Sequence, residues 1–167
     1  GSSVAMAEES FKLDFTNTGG LVQDGWNAYY ATHEVQSTFT AQSYSAFGTT
    51  VTVLPTWATG ALNTCMQMIN RGATDTANGN VRAYPTDAAS DFNLITDWIG
   101  TDLRQAGDPL TITISGLPAG EYYWKSYHND VNNINQGSFI LTVNDASGSH
   151  VQPSMTTSNT GDPAAVM

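Results

Sequence analysis

An all-β fold is what this sequence predicts: an antiparallel β-sandwich with one short helix. Three observations carry that expectation. Apolar and polar residues alternate in short runs, as in Leu110, Ile112 and Ile114 against Thr111, Thr113 and Ser115, which is the period of a half-buried strand. Clusters of Gly, Pro, Asn and Asp separate such runs at roughly 8–12 residues, the rhythm of a sandwich or barrel. Helical spacing occurs once, at Leu94, Ile95, Trp98 and Ile99. There one or two turns over 91–99 would present a single apolar face, with Ser90 or Asp91 as cap and Gly100 as stop.

Taken in order, residues 1–10 read as a disordered leader and 11–167 as one module. Phe11, Leu13 and Phe15 alternate with Lys12 and Asp14, a first strand. A turn at 16–20 and the phrase VQDGW (22–26) follow, then a polar loop at 27–33 that carries Tyr29 and Tyr30. Alternation is loose over 35–47. Thr50 to Val53 is a strand, ended by a turn over 55–60 that presents Trp57. Cys65, Met66, Met68 and Ile69 suggest a buried strand, and 73–80 a loop. The run 110–115 leads into Gly116-Leu117-Pro118-Ala119-Gly120, where Pro fixes φ and Gly accepts φ > 0. The aromatic run 121–128 then makes a hairpin or a sheet-to-sheet crossover. On it Tyr122, Trp124, Ser126 and His128 share one face, and Tyr123, Lys125 and Tyr127 the other. An Asn-rich loop (129–136), two strands (138–143 and 150–155) around a turn at 144–148, and the start of a last strand after Gly161-Asp162-Pro163 complete the chain.

Composition narrows the function. Hydrophobic residues make up 40% of 167, enough for one substantial core. A net charge of −10 with only five Lys and Arg excludes the clustered cations that nucleic acid or an anionic membrane needs. No apolar run approaches the ~20 residues of a membrane-spanning helix. Cys65 is the single cysteine, so no internal disulfide framework exists and a small buried hydrophobe is its expected role. There is no G-x-S-x-G elbow, no pair of His at zinc-ligand spacing, and no His beside a marked Ser or Cys. A non-catalytic role is expected.

Four phrases, VQDGW (22–26), INRG (69–72), LITDWIG (94–100) and SGLPAGEYYWKSYHND (115–130), resemble in their order and spacing a known group of modules. These are the jelly-roll modules of galactose-binding-domain-like and malectin-like type, appended to polysaccharide-degrading enzymes and surface proteins of environmental bacteria. The resemblance implies jelly-roll topology, a secreted or cell-surface location within a larger multidomain protein, and a polysaccharide or oligosaccharide ligand. It places Tyr122 and Trp124 in the core, with Trp26 and Trp98. The modules usually continue into further strands that end in an Asn-Gly-aromatic phrase absent here. That implies a sandwich lacking its last strand, completed by another segment. They also often carry a structural calcium ion, for which Asp130 and Asn132 are the candidate ligands; the alternative, preferred on the residues alone, is a plain Asx-rich turn. His128-Asn129-Asp130 departs from the group's more frequent His-His-Asp.

For sugar, an aromatic ring must face solvent among Asn, Asp or Gln groups that bond hydroxyls. Trp57 is the leading platform, helped by Tyr30 and Tyr29, with Tyr123 and Tyr127 as a second one around Lys125. Arg71, following an apolar run, needs a carboxylate partner, Asp97 or Asp130. A structural spacer or interaction module with no sugar ligand is the rival expectation.

Overall fold

The structure, a computed structural model, describes residues 9–17, 20–31, 39–57, 66–70, 74–75, 82–83, 94, 97–101, 109–128, 138–157 and 164–166. Fifteen short strands run through them, and the described residues contain no α-helix. The all-β expectation holds at that level.

The central sheet has three antiparallel strands, β3 (Gln42–Ala46), β4 (Thr49–Trp57) and β9 (Leu110–Ser115), in the order β3-β4-β9. Its alternation is what the sequence predicts. Val51 and Val53 are fully buried, with Tyr44 and Ile114 opposite them. Leu110, Ile112 and Ile114 are half-buried, while Thr111, Thr113 and Ser115 face water. β4 is longer than expected and takes in Pro55, Thr56 and Trp57. β3 stops opposite Val53, so beyond that point β4 has a neighbour on one side only, where a proline's missing donor is tolerated.

Against the buried face of this sheet lie β1 (Leu13–Asn17), β2 (Asn27–Ala31), β5 (Met66–Asn70) and β8 (Asp97–Thr101). Tyr29, Phe39, Val53 and Met68 form the innermost cluster, with Phe15 tilted on Tyr29 at 5.4 Å between ring centres. β1 and β2 pair in parallel, Leu13 opposite Asn27 and Asn17 opposite Ala31, which corrects the uniformly antiparallel expectation. The cause is the connection between them. It runs back along β1 and is tied under it by the Gln23 amide, which donates to Asp14 Oδ2 at 2.9 Å. Trp26 N–H closes the turn on the Gln23 carbonyl at 3.0 Å, with Gly25 at φ 78°.

The expected helix is also corrected. Residues 97–101 are β8, antiparallel to β5, with Trp98 opposite Ile69. Helical spacing over so short a run is indistinguishable from a buried strand, and the partner strand decides. The Trp98 ring, half-buried, lies over Gly100, where any Cβ would overlap it.

Shorter pairs complete the described fold. β6 (Thr74–Asp75) pairs with β7 (Arg82–Ala83), β11 (Ser138–Phe139) with β14 (Met155–Thr156), and β12 (Thr142–Asp145) with β13 (Gly148–Val151). β10 (Ser126–His128) pairs with β15 (Ala164–Val166). The aromatic run 121–128 is thus a strand only from Ser126 onward, and β9 pairs with β4 instead of with it. No 110–128 hairpin forms.

Candidate functional site

Three places in the described structure gather side chains with chemistry. The first is buried. Asp14, Thr16, Gln23 and Asp97 are all closed off from water. Asp97 Oδ2 accepts the Thr16 hydroxyl and, at 3.1 Å, the Asn17 amide. Gly20 leaves the space for this, since a Cβ there would overlap Asp97 Oδ2 and Thr16 Oγ1. Burial pushes the Asp14 carboxyl up to about 6; the Gln23 amide opposes this and the charge of Asp97 adds to it. Asp97 therefore braces β1, a structural role as expected, with Thr16 and Asn17 as partners. Arg71 and Asp130 lie outside the described residues, and so do both halves of the proposed calcium pair, Asp130 and Asn132. Among the described residues no three His, Cys, Asp or Glu side chains gather as a metal site would require.

The second place is the β12–β13 hairpin, which assembles Asp145, Ser147 and His150. The resemblance to a catalytic triad is superficial. Both contacts of the imidazole use Nε2, at 2.9 Å to Ser147 Oγ and 3.2 Å to Asp145 Oδ1. The Ser147 hydroxyl donates to Asp145 Oδ1 at 2.6 Å, and the Ser147 and Gly148 amides donate to that same oxygen. A triad needs the two imidazole nitrogens to serve different partners. This is an Asx turn closing a hairpin, and its donors, Ser147 first, hold Asp145 down at about 2.

The third place is an exposed aromatic loop between β9 and β10. Tyr122, Tyr123 and Trp124 are 46%, fully and 37% exposed, and Leu117 accompanies them. The loop is braced. Gly116 takes φ 85° where a Cβ would fall on the Thr50 carbonyl oxygen. Tyr122 OH donates to the Pro118 carbonyl at 2.6 Å, and its ring meets Phe47 edge-on at 5.5 Å. Phe47 stands at the β3–β4 turn with φ 51°, its amide donating to Glu9 Oε1 at 2.7 Å. Beside it opens a shallow depression lined by Glu9, Ser45, Ala46, Gly48, Thr49 and Thr50. Solvent-facing rings thus stand next to a surface of hydroxyls, amides and one carboxylate.

This corrects the assignment of Tyr122 and Trp124 to the core. Without a partner strand over 121–125 there is no pleat to turn them inward. Tyr123 is confirmed as exposed, but it stands apart from Tyr127, which is half-buried against Trp26 at 6.1 Å. Tyr29 is corrected as well: it is a core residue at 0% exposure, its hydroxyl donating to the Thr40 carbonyl. Tyr30 is 49% exposed on β2, where Gln42 holds its backbone from both sides, accepting its N–H at 3.1 Å and donating to its carbonyl at 2.6 Å. Trp57 ends β4 opposite Leu110, so its backbone is strand and not turn; its side chain lies outside the described part of the structure. Trp26 is half-buried, not core, with Lys12 Nζ 5.9 Å from its ring centre. Phe47 was not singled out by sequence, although Phe-Gly between two alternating runs is a turn signal that places an aromatic at a tip.

No family model, curated protein or solved structure matches this chain.

Proposed function

We propose that this protein is a non-catalytic carbohydrate-binding module, a jelly-roll sandwich of galactose-binding-like type carried by a larger secreted or cell-surface protein. The observation that carries the reading is the run Tyr122-Tyr123-Trp124, exposed on a braced loop. A sugar ring stacks its C–H face on such rings, and its hydroxyls bond small polar groups of the kind that line the neighbouring depression. Bracing matters because a loop already ordered gives up less entropy when ligand docks. The rings are also surrounded by little charge, in a chain with 12% charged residues, which suits a ligand of hydroxyls.

The test is affinity electrophoresis on gels containing plant and algal polysaccharides, with a Tyr123→Ala/Trp124→Ala double variant run beside the wild type. Retention by at least one polysaccharide, lost in the variant at unchanged melting temperature, is expected. Retention unchanged in the variant would remove this loop from the site and return attention to Tyr30 and Trp57. A second reading, an interaction module completed by a further strand, draws on the exposure of Ile140 and Val151 beside the β12–β13 hairpin. It predicts no retention by any glycan.

A further inference from the structure

Immediately after the aromatic loop, two of the five basic residues of the chain sit on aromatic rings. Lys125 Nζ lies 4.8 Å from the ring centre of Tyr127, and Tyr127 packs on Trp26, whose ring carries Lys12 Nζ at 5.9 Å. The order Lys12, Trp26, Tyr127, Lys125 is a ladder with an ammonium group at each end. Both lysines are exposed, while both rings are half-buried. The rings are therefore occupied and cannot stack a sugar. What they do is hold two cations in place, since the negative face of an indole or phenol attracts an ammonium group.

That arrangement stands out in a chain of net charge −10. Long-range attraction for an anion is absent here, so cations fixed at one place matter only within about a Debye length, ~8 Å at physiological salt. A ligand whose negative charges are local and repeated along a chain meets that condition. Lys125 follows Trp124 directly, so a polymer lying on the aromatic loop reaches the ladder without leaving the segment 122–127. Exposed carboxylates lie near as well: Asp24 is two residues from Trp26, and Glu9 is three from Lys12. Glu9 accepts the Phe47 amide, and Asp24 sets a limit on how acidic a ligand this end tolerates.

Resting on the carbohydrate-binding reading above, we infer that the preferred glycan is anionic, with carboxylate or sulfate groups that pair with Lys12 and Lys125 while the sugar rings lie on Tyr123 and Trp124. Ammonium groups bind either anion as point charges. The experiment is affinity electrophoresis at low and high salt on four gels: a polyuronate, a sulfated galactan, an uncharged galactan and an uncharged glucan. Wild type is run with Lys12→Gln/Lys125→Gln and with Lys12→Arg/Lys125→Arg. The expected result is retention on a charged gel that weakens with salt. The Gln pair should lose about tenfold in affinity, and the Arg pair should keep it. The polyuronate and sulfated gels tell carboxylate from sulfate. Equal retention on charged and uncharged gels, or no loss in the Gln pair, would overturn the inference and leave the carbohydrate reading standing. Absence of retention on every gel would overturn both.

Discussion

Replacing Asp14 with Asn should make the protein more stable at neutral pH. Asp14 is 1% exposed and accepts the Gln23 amide through Oδ2. Burial first, and the nearby charge of Asp97 after it, lift its carboxyl from 3.8 to about 6. The folded protein therefore holds this proton at pH values where the unfolded chain has released it. Between those values the folded state binds more protons, so stability falls as pH rises. The contribution is complete below pH 3.8 and is lost as pH rises through about 6. Each pH unit in that window is worth about 1.4 kcal/mol, so the ionised carboxylate at pH 7 costs the fold about 3 kcal/mol at most. An amide has the same shape, keeps an oxygen for the Gln23 N–H and carries no charge.

The assay is urea unfolding of wild type and Asp14→Asn from pH 4 to 8. Comparing the two isolates Asp14, because every other carboxylate titrates in both. The variant should be the more stable at pH 7, by about 1–3 kcal/mol, and the gap should close towards pH 4. A variant less stable at pH 7, or a gap independent of pH, would refute the placement of a lone carboxyl beneath β1.

Tyr29→Ala should cost roughly 3–5 kcal/mol and Tyr30→Ala less than about 0.5 kcal/mol, a contrast between neighbours on one strand that chemical denaturation measures directly. Gly116→Ala should lower stability by about 1–3 kcal/mol, because the residue holds φ 85° against the Thr50 carbonyl; a melting temperature within a degree of wild type would contradict that geometry. Asp145 should titrate near 2 by NMR, and its stabilisation of the hairpin, present above 3.8, should fade as pH drops through that value. In Asp145→Ala the Ser147 and Gly148 amides should exchange faster, and unchanged exchange would show that they bond elsewhere.

The central sheet was legible because its three strands obey one rule throughout. Val51, Val53, Ile112 and Ile114 alternate with threonines, and each strand has a partner that enforces the pleat. The start of the chain was legible only in part. Phe15 takes its core position, but Asp14 and Thr16 are buried too, because the returning connection and β8 cover the second face of β1. Binary patterning assumes that a polar face is a wet face. It has no way to show that Gln23 and Asp97, nine and 83 residues from Asp14, supply what water would have supplied.

The aromatic loop failed for a related reason with a larger consequence. High β-propensity in Tyr and Trp describes how well they pack on a half-buried pleated surface; it does not create the surface. Over 121–125 no strand stands alongside, since β9 is satisfied by β4 and Gly116 turns the chain off the sheet beside Thr50. Pairing resumes only at Ser126, where β15 is available. The rings that period-two reasoning would bury are left in water, and the Tyr122 hydroxyl fastens the loop to Pro118 instead of to a neighbouring strand. Exposed apolar surface of this kind is selected against in a soluble chain unless something covers it. A flat ligand with its own apolar face and a rim of hydroxyls covers it only while bound and leaves the chain soluble when free, which a permanent protein partner would not need from so polar a surrounding.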